Sequence, residues 1–139
     1  MGPSNRIILV LILITGIVSS CSSGKEPTPD CDIQIGSCVK TLNNATITFD
    51  LRPKPVVPMK ELRFTVSVEN LNDPPERLIA DLTMPGMEMG VNQVVLARTG
   101  DKTYTGKGVI VKCPKGRKLW KAKVWIPKVG EVNYLFEVE

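Results

Sequence analysis

The sequence predicts an all-β protein, an immunoglobulin-like antiparallel sandwich of about seven strands that follows an export signal and a short tether. Two observations predict the fold. From residue 31 onward apolar and polar residues alternate with a period of two, and turn-forming Pro, Gly, Asn and Asp separate the alternating segments. No helical period of useful length occurs there. A barrel of about five or six strands is the alternative architecture.

Each predicted strand has apolar residues on one face and polar residues on the other, as expected when two sheets pack face to face. The apolar positions, in chain order, are Ile47, Phe49 and Leu51; Leu62, Phe64, Val66 and Val68; Leu78, Ala80, Leu82 and Met84; Val94, Val95 and Leu96; Tyr104, Val109, Ile110 and Val111; Trp120, Ala122, Val124 and Ile126; and Val132, Tyr134, Phe136 and Val138.

Residues 1–20 have the features of a signal peptide, with Arg6 ahead of an apolar run over residues 7–18. The run is shorter than the roughly 20 residues that a spanning helix needs. Its end, Val18-Ser-Ser-Cys21, resembles the lipobox of bacterial lipoproteins. The resemblance implies cleavage before Cys21 and acylation of its thiol and amine. Ser22 resembles the outer-membrane sorting signal of enteric Gram-negative bacteria. A plain secretory signal with a chance cysteine is the alternative.

Residues 21–30 are predicted to be the lipidated cysteine and a flexible tether, because residues 22–30 contain no apolar side chain and two prolines. As a flexible coil this segment reaches roughly 15–18 Å. The sandwich domain, residues 31–139, would therefore lie close to the periplasmic face of a membrane, with the outer membrane favoured in a Gram-negative host.

Three cysteines remain beyond Cys21, and an exported protein favours disulfides. They allow one bond and one free thiol, with Cys31–Cys38 and Cys38–Cys113 as the two pairings considered. A metal-binding thiol is the functional interpretation. A structural disulfide with one buried thiol is the other.

The segment Met84-Pro-Gly-Met-Glu-Met89 is the most unusual local feature. Pro-Gly suits the centre of a type II turn, which puts Met84 and Met87 at its two ends. Met89 points to the same side as Met87 in an extended chain. Soft thioether sulfur selects Cu(I), and Met59 on another loop is a further candidate ligand. Core filling and protein docking are the alternative roles.

Ala80-Asp-Leu-Thr-Met-Pro-Gly-Met-Glu-Met-Gly-Val-Asn92, Leu96, Tyr104-Thr-Gly106 and Leu119-Trp-Lys-Ala-Lys-Val124 together resemble the YtkA-like and FixH-like family. The resemblance covers roughly residues 60–126. It implies a small exported β-sandwich linked with copper handling and cytochrome oxidase assembly, with Met84, Pro85, Met87 and Met89 in the family's Met-Pro turn. The chain departs from many relatives in lacking a histidine near this turn, which argues against Cu(II) or mixed ligands.

The absence of histidine excludes Ser-His-Asp and Cys-His catalysis and His-ligated zinc. With no catalytic motif either, we do not expect an enzyme. The net charge of +4 is too small to predict nucleic-acid binding.

Seven basic residues nevertheless cluster over residues 112–128, and Lys121, Lys123 and Trp125 share one strand face. That face is a candidate binding surface for anionic lipid or an acidic partner. Alternatively, it is a solvated face whose lysines protect an edge strand from pairing with another chain.

We therefore predict a membrane-anchored extracytoplasmic module that binds Cu(I) and serves a membrane or periplasmic partner. The alternative is a metal-free lipoprotein that docks through the Met turn and the Trp125 face.

Overall fold

The computed structural model describes residues 24–139, so Cys21 and the signal peptide lie outside the described residues. Eight strands and no helix occur in the described range, which confirms the predicted all-β fold. The strands are β1 (Cys38–Leu42), β2 (Ala45–Arg52), β3 (Glu61–Glu69), β4 (Arg77–Thr83), β5 (Gln93–Arg98), β6 (Thr103–Val109), β7 (Leu119–Ile126) and β8 (Gly130–Glu137). No helix of residues 24–139 has the length and apolarity needed to cross a membrane.

The seven predicted segments correspond to β2–β8, and β1 is an additional strand that the sequence did not reveal. Only Cys38 of β1 is buried, and the strand is five residues long. Its apolar alternation is therefore too weak to distinguish it from a loop. Pairing of all five β1 residues with β2 decides its conformation.

All strands pair with antiparallel neighbours in one sheet of order β1-β2-β3-β6-β5-β4-β7-β8. The link between β5 and β6 consists of only two residue pairs, Ala97↔Thr105 and Arg98↔Tyr104. This short link divides the sheet into two halves, β1-β2-β3-β6 and β5-β4-β7-β8. The halves fold over each other as the layers of a sandwich, so that the sheet is nearly closed.

A core of aromatic and aliphatic side chains fills the space between the two halves. Phe49 of β2 stacks on Tyr134 of β8, with ring centroids 5.2 Å apart, and also contacts Phe136 and Phe64. The Tyr134 hydroxyl donates a 2.7 Å hydrogen bond to the Ile47 carbonyl of the opposite half. Burial raises the pKa of Tyr134, so this hydroxyl keeps its proton and remains a donor.

The predicted apolar positions are buried with three exceptions, Val95, Val109 and Val111, which are exposed. In each case the adjacent apolar residue occupies the inward position, Val94 and Leu96 in β5 and Ile110 after β6. Successive side chains of an extended chain alternate in direction, so a run of three apolar residues cannot all face the core. Among the residues that the structure describes, every strand and every buried residue lies between residues 31 and 139. A chain that starts at residue 21 therefore contains every contact of the described fold.

The close approach of β5 to β6 requires glycine at Gly106. A Cβ atom at this position would lie 2.3 Å from the Val95 carbonyl oxygen, which is backbone and cannot rotate away. We expect Gly106→Ala to lower the free energy of unfolding by about 1–3 kcal/mol, the range for an overpacked core. Gly36→Ala is the matched control, because a Cβ there meets nothing within 4 Å. Urea unfolding of both variants measures the difference, and equal midpoints would refute the proposed constraint.

Candidate functional site

The loops of the sheet lie at two opposite ends, because neighbouring strands run in opposite directions. We call the end that includes the first described residues the tether end, and the opposite one the far end. The tether end consists of residues 24–37, 53–60, 84–92, 110–118 and 138–139. The far end consists of residues 43–44, 70–76, 99–102 and 127–129.

Every methionine and cysteine of residues 24–139 lies at the tether end, with Cys38 at the adjoining first residue of β1. They are Met59, Met84, Met87, Met89, Cys31, Cys38 and Cys113. Met59 and Cys113 are distant from the Met84–Met89 segment along the chain, and the strand directions bring their loops to the same end. The sequence placed Met84, Met87 and Met89 together, but it did not show that Met59 and Cys113 share their end.

The Met84–Met87 turn has the geometry that the sequence predicts. The Met87 amide donates to the Met84 carbonyl at 3.1 Å, and Gly86 has a φ of 72°. A positive φ at this position identifies the type II turn and favours glycine. Met84 is 2% exposed and belongs to the core, whereas Met87 and Met89 are partly exposed and pack against it. Core filling therefore describes Met84, and the other two thioethers can be reached from solvent.

Arg117 ties the Met turn to two other segments of the tether end. Its Nη2 donates to the Pro85 carbonyl at 2.9 Å and to Glu26 Oε1 at 3.1 Å. The β6–β7 connection, the Met turn and the N-terminal segment are thereby joined through one guanidinium, whose several donors allow this. The sequence showed Arg117 only as one member of a basic cluster.

Met59 lies on the β2–β3 connection and is 65% exposed, with a φ of 65°. Its amide donates to the Ile110 carbonyl at 2.8 Å, which holds the residue against the β6–β7 connection. Met59 therefore shares the tether end with the Met turn, but its backbone is fixed to a different neighbour.

Cys31 and Cys38 form a disulfide, with Cα atoms 5.6 Å apart, and Cys113 is a buried free cysteine. The structure thus selects Cys31–Cys38 from the two pairings that the sequence left open. The disulfide removes two of the three thiols as metal ligands. Within residues 24–139 no three His, Cys, Asp or Glu groups are placed to hold a metal ion.

Lys54 fixes the disulfide-closed loop to the sheet. Its ammonium lies 2.9 Å from Asp50 Oδ1 and also donates to the carbonyls of Ile33 and Gly36. Partial burial raises the pKa of Asp50, but hydrogen bonds and charge from Lys54, together with Arg52, outweigh it and hold the pKa below its usual value. Asp50 is therefore ionised at neutral pH and stabilises this corner.

The N-terminal segment, residues 24–37, contains no strand, and it has several fixed contacts. The Asp30 amide donates to the Leu135 carbonyl at 2.7 Å, and the Leu135 amide donates to Asp30 Oδ2 at 2.8 Å. Lys40 pairs with the same carboxylate at 2.7 Å. The chain is thus attached to β8 from Asp30 onward and to Arg117 at Glu26.

Lys121, Lys123 and Trp125 lie on the outer face of β7, with the two lysines half-buried and Trp125 53% exposed. Ile79 of β4 pairs with Trp125 of β7 on one side and with Val95 of β5 on the other, so three apolar side chains form one row across three strands. Ile79 is 39% and Val95 55% exposed. The sequence identified Trp125 as part of a candidate docking face but not Ile79 and Val95. The signal for these two is that each is an apolar residue at a position of its strand that faces solvent.

A comparison of the chain with protein-family models, with curated proteins and with solved structures found no match. The resemblance to the YtkA-like and FixH-like family therefore stays a prediction.

The Asp50 carboxylate should make stability depend on pH. Because its pKa is lowered in the folded state, its contribution is present above the ordinary value of 3.8 and is lost as pH falls through the lower folded value. We expect Asp50→Asn to lower the free energy of unfolding at pH 7 by about 1–2 kcal/mol, typical of a charge-assisted contact. The difference from the parent should shrink below the ordinary pKa.

Chemical unfolding at a series of pH values measures this. Glu61→Gln is the control, because it breaks the exposed pair with Lys107 and exposed pairs contribute little. If the free energy of unfolding of Asp50→Asn stayed below that of the parent by a constant amount down to acidic pH, ionised Asp50 would not be the source of the stabilisation.

Proposed function

We propose that the protein is a lipid-anchored extracytoplasmic module that binds Cu(I) through Met84, Met87 and Met89, with Met59 as a further ligand. One observation carries the proposal. All sulfur-bearing side chains of residues 24–139 are gathered at one end of the sheet, although they come from four separate segments of the chain.

The ligand chemistry favours Cu(I) over other metals. Thioether sulfur is soft and neutral, and it binds Cu(I) well and Zn(II) poorly. The closed turn holds the Met84 and Met87 backbones at a fixed separation, and the partly exposed Met87 and Met89 offer a route for the ion. Glu88 is exposed and can add an oxygen ligand.

Two features support export and anchoring. The Cys31–Cys38 disulfide is typical of oxidising compartments outside the cytoplasm. The Val18-Ser-Ser-Cys21 motif after a short apolar run supports lipidation of Cys21. In this proposal the module is not an enzyme and binds no nucleic acid. It buffers copper or passes it to a membrane or periplasmic partner, with cytochrome oxidase assembly as the process that the family resemblance suggests.

The proposal is tested by anaerobic Cu(I) titration of residues 22–139 against a chromogenic competing chelator. We expect one tight equivalent in the parent, lost in a Met84→Leu/Met87→Leu/Met89→Leu variant. Leucine keeps the volume and removes the sulfur, so each exchange destabilises the core by less than about 1.5 kcal/mol.

Met59→Leu is measured separately, because it removes an exposed thioether from a different loop. If Met59 is a ligand, its loss weakens binding without abolishing it. Equal, weak binding in the parent and the triple variant would reject the copper proposal. Binding that survives in the triple variant and is lost in Cys113→Ala would move the site to the thiol.

A second candidate function is metal-free docking to a protein partner through the outer face of β4, β5 and β7. The observation that favours it is the exposed row of Val95, Ile79 and Trp125, since contiguous apolar side chains on a strand face suit an interface centre. Lys121 and Lys123 beside the row would favour an acidic partner.

A photo-crosslinking amino acid at Ile79 in the host cell tests this second candidate. We expect one discrete adduct that disappears in the Trp125→Ser background, because an exposed aromatic is the strongest anchor of the row. Arg63, exposed on the other half of the sheet, is the control position. Identical adduct patterns from both positions would reject a specific docking face.

A further inference from the structure

We propose that the tether end lies against an anionic lipid bilayer, with the β2–β3 and β6–β7 connections seated on the headgroups. This inference rests on the proposed anchor at Cys21, and it adds an orientation and a lipid preference that anchoring alone does not supply. The occupant of this surface is the bilayer and not a second protein.

The position of the N-terminal segment gives the first argument. Gly24, Glu26, Pro85, Gly86 and Arg117 line one shallow cavity beside the Met turn, and Glu26 pairs with Arg117 there. Cys21 precedes Gly24 by three residues, which span at most about 10 Å. A lipid on Cys21 would therefore bring the Met turn close to the membrane surface.

The charge of the two connections gives the second argument. Residues 53–60 and 110–118 contain six basic side chains and no acidic one. Lys54 pairs with Asp50 and Arg117 with Glu26, whereas the remaining four are exposed and make no ion pair among residues 24–139. These four are Lys60, Lys112, Lys115 and Lys118.

Acidic side chains also occur at the tether end, but on other segments. Glu26, Asp30 and Asp32 lie on the N-terminal segment, where Glu26 pairs with Arg117 and Asp30 with Lys40. Glu88 follows the Met turn, and Glu139 follows β8. The two basic connections are adjacent to each other, because the Met59 amide binds the Ile110 carbonyl. The positive charge is therefore concentrated on one part of this end.

Exposed apolar side chains give the third argument. Met59 and Val111 stand next to Lys60 and Lys112 in the chain, and all four are exposed. Alternating apolar and basic side chains suit the interface, where the apolar group enters the acyl boundary and the lysine reaches the phosphates. Ile35 and Val91 are further exposed apolar residues of this end.

The far end has neither feature. None of its residues is among the exposed large apolar side chains of the described chain. Its lysines Lys102 and Lys128 pair with Glu69 and Asp73. The contrast indicates that membrane contact is a property of one end and not of the surface in general. The Met turn would then face the bilayer.

The test separates docking from natural lipidation. Residues 21–139 are coupled through Cys21 to a maleimide lipid, since Cys31 and Cys38 are bonded and Cys113 is buried. A reporter tryptophan at Val111, in a Trp125→Phe background whose emission from the buried Trp120 is subtracted, is then quenched by brominated acyl chains. Vesicles of phosphatidylcholine alone are compared with vesicles that also contain phosphatidylglycerol.

We expect at least twofold more quenching in the anionic vesicles than in the neutral ones. A reporter at Val95, on the outer sheet face, should show no such difference. Lys60→Gln/Lys112→Gln/Lys115→Gln should abolish the difference, because each basic residue near an anionic surface strengthens association about fivefold. Salt of about 1 M should have the same effect, since the Debye length falls to about 3 Å. Lys121→Gln/Lys123→Gln is the matched charge control.

Equal quenching at positions 111 and 95, or no dependence on anionic lipid, would overturn the docking proposal even if Cys21 is lipidated. The natural anchor is measured separately, as incorporation of labelled palmitate in the host with Cys21→Ser as control. No incorporation together with anionic quenching would reject the anchor and retain the affinity of the tether end for lipid.

Discussion

The contact of Phe49 with Tyr134 is the interaction on which the rest of the structure depends. It joins β2 to β8 across the core. The Tyr134 hydroxyl adds a second contact between the same two strands, because it donates a hydrogen bond to the Ile47 carbonyl. Strand pairing connects the two halves of the sheet only through the short β5–β6 link. Packing between the aromatic rings therefore fixes how the halves face each other, and with it which loops meet at each end.

Two cationic side chains then organise the tether end. Lys54 satisfies the carbonyls of the disulfide-closed loop, and Arg117 satisfies the Pro85 carbonyl beside the Met turn. Loop carbonyls at the end of a sheet have no neighbouring strand to donate a hydrogen bond to them. They must therefore accept hydrogen bonds from side-chain donors or from water. Because each cation is also paired with a carboxylate, Asp50 or Glu26, the loops are held without an isolated charge in a partly buried position.

Sequence patterns predicted β2–β8 because each has two or more inward apolar residues, except β6, where Tyr104 is the only one. They predicted the Met turn because Pro-Gly restricts the backbone locally. They could not predict β1, whose conformation depends on pairing with β2, or the disulfide partner of Cys38. The presence of Met59 and Cys113 at the same end of the sheet as the Met turn depends on strand order, which contacts between distant residues decide. The row of Ile79 and Val95 was hidden for the same reason, since it needs the register of β4 with β5.

The neutrality of thioether sulfur reconciles the two roles that the sequence left open for the Met turn. An ionised carboxylate or thiolate as buried as Met84 would need a charged partner when no metal is bound. A thioether needs none, because it packs as an apolar group and still has a lone pair for a soft cation. Met84 can therefore complete the core of the empty protein, while Met87 and Met89 remain accessible above it. Core filling and Cu(I) binding are in this way compatible uses of one turn, and the arrangement requires no carboxylate or imidazole ligand.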